Sequence, residues 1–129
     1  MDDKTLKTLL GAQQGELDAV LMYQKIAARI KDPDIKAVLL DAAKDEGRHA
    51  SVFHKLTNKV LKPKSLQANA VVFLMTILGK KLVFKTISKF EYNAGKAYEP
   101  LIKDFPEIES VLKDEIKHGD HMLELSKKF

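Results

Sequence analysis

Residues 44–51 read KDEGRHAS and contain the spacing Glu46-x-x-His49. On an α-helix, residues three apart lie on the same face. The same spacing returns near the end of the chain, where Glu115-Ile-Lys-His118 reads EIKH. Each pair lies in the middle of a stripe of apolar residues that repeats every three or four positions. Both pairs are therefore predicted to face the core of a helical protein.

Four such stripes run along the chain and predict four long amphipathic helices. Their members are Leu9, Gln13, Glu16, Val20, Tyr23, Ala27 and Ile30; Ile35, Leu39, Ala42, Glu46, His49, Phe53, Leu56 and Val60; Phe84, Ile87, Glu91, Ala94, Tyr98 and Ile102; and Ile108, Val111, Glu115, His118, Met122, Leu125 and Phe129. Residues 64–80 are predicted to form a helical crossover between helices two and three. Few segments show a period of two, so we predict an all-α fold, with residues 1–129 forming a single four-helix bundle domain.

Prolines mark the expected helix boundaries. Pro33 and Pro106 each follow an aspartate-containing turn and are predicted to lie in the first turn of a helix, where a missing N–H is tolerated. Pro100 falls inside the third stripe, so we expect it to kink or weaken that helix near Tyr98.

The composition is that of a folded protein, with 45% hydrophobic and 31% charged residues. The net charge of +4 is spread along the chain, so we expect no nucleic-acid partner. The apolar run over residues 70–78 is too short to span a bilayer, and we expect no membrane partner. The chain has no cysteine, which excludes disulfides and iron–sulfur clusters and agrees with a reducing, cytoplasmic location.

Four carboxylates and two imidazoles are predicted at matching depth in the core, namely Glu16, Glu46, Glu91 and Glu115 with His49 and His118. Buried carboxylates without partners are costly, and four together would repel one another until they took up protons. Two divalent cations would balance them, and oxygen ligands with one imidazole per metal suit iron or manganese. A glutamate from each of two helices with Glu-x-x-His from each of the other two is the ligand pattern of di-iron carboxylate bundles. We therefore predict two iron ions per chain, with manganese as the alternative metal.

The ligand pattern is repeated within the chain. Glu16 is followed seven residues later by Tyr23, Glu91 is followed seven residues later by Tyr98, and a Glu-x-x-His pair comes next in each half. The two tyrosines either pack in the core or hydrogen bond to a ligand carboxylate in support of catalysis, and the sequence leaves both roles open. His54 and His121 are expected to face solvent.

These motifs resemble the rubrerythrin-type di-iron domain of the ferritin-like superfamily. The resemblance implies a ferritin-like fold in which Glu46 and Glu115 bridge two irons and the other four ligands are terminal. It also implies reduction of hydrogen peroxide or dioxygen, in protection against oxidative stress. Many rubrerythrins carry a further glutamate at the position of Ala94. The chain lacks cysteine and with it a rubredoxin domain, so the electrons are expected to come from a separate protein.

Two other functions stay open at this point. In the first, the site is that of a ferroxidase, which oxidises ferrous iron and passes it on. In the second, the protein is a helical interaction module without enzymatic activity, and its acidic side chains are exposed. The apolar crossover exceeds what one bundle face needs, so we expect a homodimer in which this segment packs partly on another subunit, with a swapped arrangement as one form.

Overall fold

Five α-helices and no β-strand make up the structure, a computed structural model that describes residues 1–129. The helices are α1 (Asp3–Ala27), α2 (Pro33–Thr57), α3 (Leu66–Leu78), α4 (Lys80–Tyr98) and α5 (Ile108–Ser126). A short 3-10 turn, Glu99–Leu101, follows α4. The all-α prediction is confirmed, and α3 occupies the segment predicted as the crossover. None of the five helices combines the length and the apolar content that crossing a bilayer requires.

The chain forms two units, Met1–Val72 and Phe73–Phe129. In the first unit α1 packs along α2, and in the second α4 packs along α5. Each long helix thus has as its partner a helix that is close to it in sequence. The single domain over residues 1–129 stays a prediction.

The core of each unit consists largely of the predicted stripe residues. The largest fully buried apolar side chains are Leu9, Tyr23, Ile26, Leu39 and Phe53 in the first unit and Phe84, Ile108 and Met122 in the second. Burying a side chain of this size stabilises a fold by roughly 1.5–3 kcal/mol. These residues supply the apolar packing around the buried polar groups described below.

Two aspartates start the first two helices. The carboxylate of Asp2 accepts a hydrogen bond from the backbone N–H of Thr5 at 2.6 Å, and Asp32 accepts one from the N–H of Asp34 at 2.8 Å. Both satisfy N–H groups that have no partner within the helix. Pro33 lies in the first turn of α2, as predicted.

Gly79 is the single residue between α3 and α4. Its φ of 88° lies in the left-handed region, where only glycine is free of strain. The positive φ ends α3, and α4 starts at the next residue without a side-chain cap.

Predictions at two helix ends were wrong. Val60, assigned to the second stripe, lies beyond the end of α2 at Thr57 and is 85% exposed. Asn58 ends that helix in a left-handed conformation with φ 55°, which a polar residue tolerates better than an apolar one. Pro106 lies in the turn before α5, which begins two residues later at Ile108.

Pro100 ends a helix where a kink or weakening was expected. The α-helix stops at Tyr98, because the ring of a proline does not fit inside an α-helix. Pro100 lies in the short 3-10 turn that follows. Ile102, assigned to the third stripe, therefore lies beyond α4. At the end of the chain, Phe129 is partly exposed, and its ring centroid lies 5.7 Å from that of Phe84.

Candidate metal centre

The first cluster, which consists of Glu16 from α1 with Glu46 and His49 from α2, lies within the first unit. The Nδ1 atom of His49 is 3.3 Å from Oε2 of Glu16 and 3.2 Å from Oε1 of Glu46. The three side chains are at most 2% exposed. One ligand atom from each lies within 4.8 Å of the others. Three predicted ligands therefore come together in the core at a spacing that one metal ion can use.

The second cluster, which consists of Glu91 from α4 with Glu115 and His118 from α5, lies within the second unit. The Nδ1 atom of His118 is 3.4 Å from Oε2 of Glu91 and 3.6 Å from Oε1 of Glu115. These side chains are also buried, and their ligand atoms lie within 4.8 Å of one another. The two clusters therefore have the same composition, and in both the Nδ1 atom of the imidazole faces the carboxylates. The distances between Nδ1 and the carboxylate oxygens are also similar in the two clusters.

The donor set of each cluster fits a divalent metal ion. Two carboxylates and one imidazole are removed from water in each cluster. Burying ionised carboxylates is costly, and a bound dication would lower that cost. Carboxylate oxygens with a single imidazole nitrogen suit iron or manganese. The residues present are thus those that such an ion requires.

Two hydrogen bonds of the buried Gln13 side chain, one turn before Glu16 in α1, support the first cluster. The hydroxyl of Thr57 donates to Oε1 of Gln13 at 2.6 Å, and Nε2 of Gln13 donates to the carbonyl of Lys59 at 2.8 Å. Both side chains are buried. These two hydrogen bonds hold the part of α1 that precedes Glu16 against the end of α2. The periodicity of the sequence placed Gln13 in the stripe, but neither Thr57 nor Lys59 could be identified from it as a partner of Gln13.

A tight contact between helices supports the second cluster. The hydroxyl of Ser88 donates to the carbonyl of Gly119 at 2.7 Å, one residue after His118. The ring of Tyr92 lies against Gly119, so that a Cβ at this position would be 2.8 Å from Cζ of the ring. The hydroxyl of Tyr92 donates to Asp120, and this bond raises the pKa of Tyr92 above its ordinary value of 10.0.

The supporting residues Ser88, Tyr92 and Asp120 of the second unit could not be identified from the sequence. Periodicity shows which face of a helix is buried but not which residues of two helices meet. The only local signal was the small residue Gly119 directly after a predicted ligand. Glycine inside a helix costs about 1 kcal/mol relative to alanine, so its presence there indicates a close approach.

The remaining residues singled out from the sequence fall into two groups. Tyr23 is fully buried and Tyr98 is 9% exposed, so both lie in the core. Their role beside a ligand carboxylate stays a prediction. His54 and His121 are exposed, as expected, and Nδ1 of His54 lies 2.8 Å from the carbonyl of Lys59. Ala94 is half-buried.

Comparison with known proteins gives one finding. The model of the rubrerythrin family, a ferritin-like di-iron domain, matches residues 7–126, which is nearly the whole chain. No curated protein and no solved structure gives a significant match. The family match confirms the resemblance drawn from the two Glu-x-x-His motifs, together with the all-α, ferritin-like fold class, and implies that the chain binds iron.

Proposed function

The chain belongs to the rubrerythrin family, and we propose that it is a di-iron oxidoreductase that reduces hydrogen peroxide or dioxygen. The observation that carries the proposal is the pair of buried clusters, each with two glutamates and one histidine. The burial of all four carboxylates removes the basis of the interaction-module alternative, which required them to be exposed.

We propose that the side chains of the two clusters hold two iron ions per chain. Four carboxylates carry four negative charges, which two divalent ions balance. The Nδ1 atoms of His49 and His118, which face the carboxylates of their clusters, are the proposed nitrogen ligands. Following the resemblance to rubrerythrins, Glu46 and Glu115 would hold the metal together with the other ligands of their clusters. Manganese uses the same donors and is the alternative metal.

The surrounding residues supply the conditions for the reaction. Iron, when bound, supplies the electrons that reduce the oxygen–oxygen bond. The buried apolar side chains of Leu39 and Phe53 exclude bulk water from the core of the first unit. Those of Ile87 and Met122 exclude it from the core of the second unit. A site of low dielectric strengthens the interaction between the carboxylates and the cations.

The electron donor is proposed to be a separate protein. The 129 residues contain no cysteine and therefore no rubredoxin-type iron centre. We propose a cytoplasmic role in protection against oxidative stress, in which this donor restores the reduced iron after each turnover.

The first test is the metal content of the purified protein after anaerobic loading with ferrous iron. We expect about two irons per chain. Glu46→Ala and Glu115→Ala should each lose at least one of them. The matched control is Glu109→Ala, because Glu109 is exposed and paired with Lys113 at 3.4 Å. A protein that takes up no metal, or a Glu115→Ala variant that keeps both irons, contradicts the proposed centre.

The second test separates the two enzymatic functions. Iron-loaded, reduced protein is mixed with stoichiometric peroxide, and in a parallel sample with excess ferrous iron and dioxygen. Rapid loss of peroxide with little ferric mineral supports the peroxidase. Faster oxygen consumption with excess ferrous iron, followed by mineral formation, assigns the site to a ferroxidase instead.

A further inference from the structure

Helix α3 is apolar on two opposite faces. Ala68, Val72 and Met75 form its buried face. The opposite face is exposed, and its apolar residues are Leu66, Ala70, Phe73, Leu74, Ile77 and Leu78, which we call the outer face of α3. Phe73 and Ile77, one turn apart, are 62% and 61% exposed. A contiguous exposed apolar patch commonly marks an interaction site, so the outer face is a candidate for contact with a partner.

The chain around α3 is strongly basic. Residues 47–90 contain none of the 18 acidic residues and nine of the 22 lysines and arginines. Four of the lysines flank the helix closely, with Lys62 and Lys64 before it and Lys80 and Lys81 after it. The remainder of the chain is net acidic, although the whole carries a net charge of +4. The partner should therefore be apolar in its interior and anionic at its surface.

We propose that the outer face of α3 docks on an anionic phospholipid bilayer. The helix has 13 residues and is about 20 Å long, too short to span a hydrocarbon core of about 30 Å. We place this helix in the plane of the interface, with its exposed apolar side chains among the acyl chains; α3 itself carries no charged residue, so the lysines that flank it would lie at the level of the headgroups. A helix that is too short to span a bilayer can still lie on its surface, so the expected absence of a spanning segment agrees with this arrangement.

Charge argues against α3 of a second copy of the chain as the occupant. Both ends of α3 are basic, so α3 packed on the α3 of another copy would bring lysine against lysine in either orientation. Like charges placed together at an interface oppose association. A nucleic acid would complement the charge but offers no apolar layer to receive Phe73 and Ile77. An anionic bilayer provides both.

The test is cosedimentation of the full chain with lipid vesicles. One set contains phosphatidylcholine mixed with phosphatidylglycerol, and the other contains phosphatidylcholine alone. We expect binding to the anionic vesicles to be stronger by about tenfold or more and to weaken at high salt. Absence of binding to the anionic vesicles overturns the proposal.

Two variants and two matched controls identify the surface. Phe73→Ser/Ile77→Ser removes exposed apolar groups, and Lys62→Gln/Lys64→Gln removes charge. Each should weaken vesicle binding about tenfold or more without changing the melting temperature. Leu40→Ser, at an exposed apolar position on α2, and Lys127→Gln/Lys128→Gln, at another adjacent lysine pair, should bind as the unchanged protein does.

Other outcomes assign the face elsewhere. Vesicle binding that persists in Phe73→Ser/Ile77→Ser shows that the outer face does not insert, which overturns the proposal. A dimer in sedimentation equilibrium that this variant dissociates, together with no vesicle binding, assigns the face to a second copy. None of these measurements depends on bound iron or on peroxide turnover, so their failure leaves the proposed function untouched.

Discussion

The Nδ1 atom of His49 lies 3.3 Å from Oε2 of Glu16, which belongs to the other helix of the same unit. In the second unit, Nδ1 of His118 lies 3.4 Å from Oε2 of Glu91. Each imidazole thus connects the two helices of its unit through a carboxylate. A metal that replaces these direct contacts with ligand bonds would hold each helix pair together.

Removal of the metal should therefore destabilise the fold. A ligand that binds only the folded state stabilises it by mass action, so we expect the melting temperature of iron-loaded protein to fall by at least ~5 °C when a chelator removes the iron. The measurement is thermal unfolding followed by circular dichroism. His49→Ala should show a much smaller shift, and His121→Ala, at an exposed position, should show the full shift. Equal shifts in both variants would argue against His49 as a ligand.

Thr57→Val should destabilise the first unit. The hydroxyl of Thr57 donates to Oε1 of Gln13 at 2.6 Å in a buried setting. Valine has the same shape but leaves this oxygen without its donor, which costs about 1–3 kcal/mol. Urea unfolding measures the change. The double variant Gln13→Leu/Thr57→Val is the control, since removing both polar groups should cost less than the sum of the single changes. Additive losses would show that the two side chains are not coupled.

Gly119→Ala should destabilise the second unit. The added Cβ would lie 2.8 Å from Cζ of Tyr92, and the hydrogen bond to Asp120 hinders the ring from moving away. We expect a loss of about 1–3 kcal/mol in the free energy of unfolding. In a protein that already carries Tyr92→Ala, the additional change Gly119→Ala should cost less free energy of unfolding than it does in the original protein, because the ring that it would meet is gone. If Gly119→Ala is as stable as the original protein, the ring does not pack on this glycine.

The cap of α1 should depend on pH in a defined direction. Hydrogen bonds from Thr5 lower the pKa of Asp2 below its ordinary value of 3.8. A carboxyl group whose pKa is lowered on folding stabilises the fold fully above its unfolded value and loses this effect as the pH falls through the folded value.

Asp2→Ala should therefore lower the melting temperature at neutral pH, and the difference from the original protein should shrink below pH 3.8. Asp2→Asn is the control, because its cap is uncharged and the difference in melting temperature between Asp2→Asn and Asp2→Ala should not follow this titration. A deficit for Asp2→Ala that stays constant from neutral to acidic pH would rule out the charged cap.

The candidate site was largely predictable because burial of a carboxylate is exceptional. Glu46 and Glu115 were conspicuous in apolar stripes, and the repeated spacing to a histidine showed that their placement was not accidental. All six predicted ligands lie buried in the two clusters. Helix ends were less predictable, since periodicity continues past the point where a helix stops. Val60 fits the stripe of α2 by spacing alone, but Asn58 had already turned the backbone.

Contacts between helices could not be predicted from one sequence. The packing of Tyr92 on Gly119 and the bond from Thr57 to Gln13 depend on the rotation of two helices about their axes, which a pattern of apolar residues fixes only to within one face. The apolar run over residues 70–78 predicted more apolar surface than one bundle face needs, but it did not show that Phe73 and Ile77 are among the exposed residues.

Gly79 makes the break between α3 and α4 depend on one backbone angle. No atom would obstruct a side chain at this position, so the obstacle to any other residue is the φ of 88° alone. A residue unable to adopt that angle would favour continuation of the helical path through residues 66–98, as a rod about 50 Å long. Gly79 is thus the point at which α3 ends and α4 begins, and a single added methyl group would disfavour the backbone angle that separates the two helices.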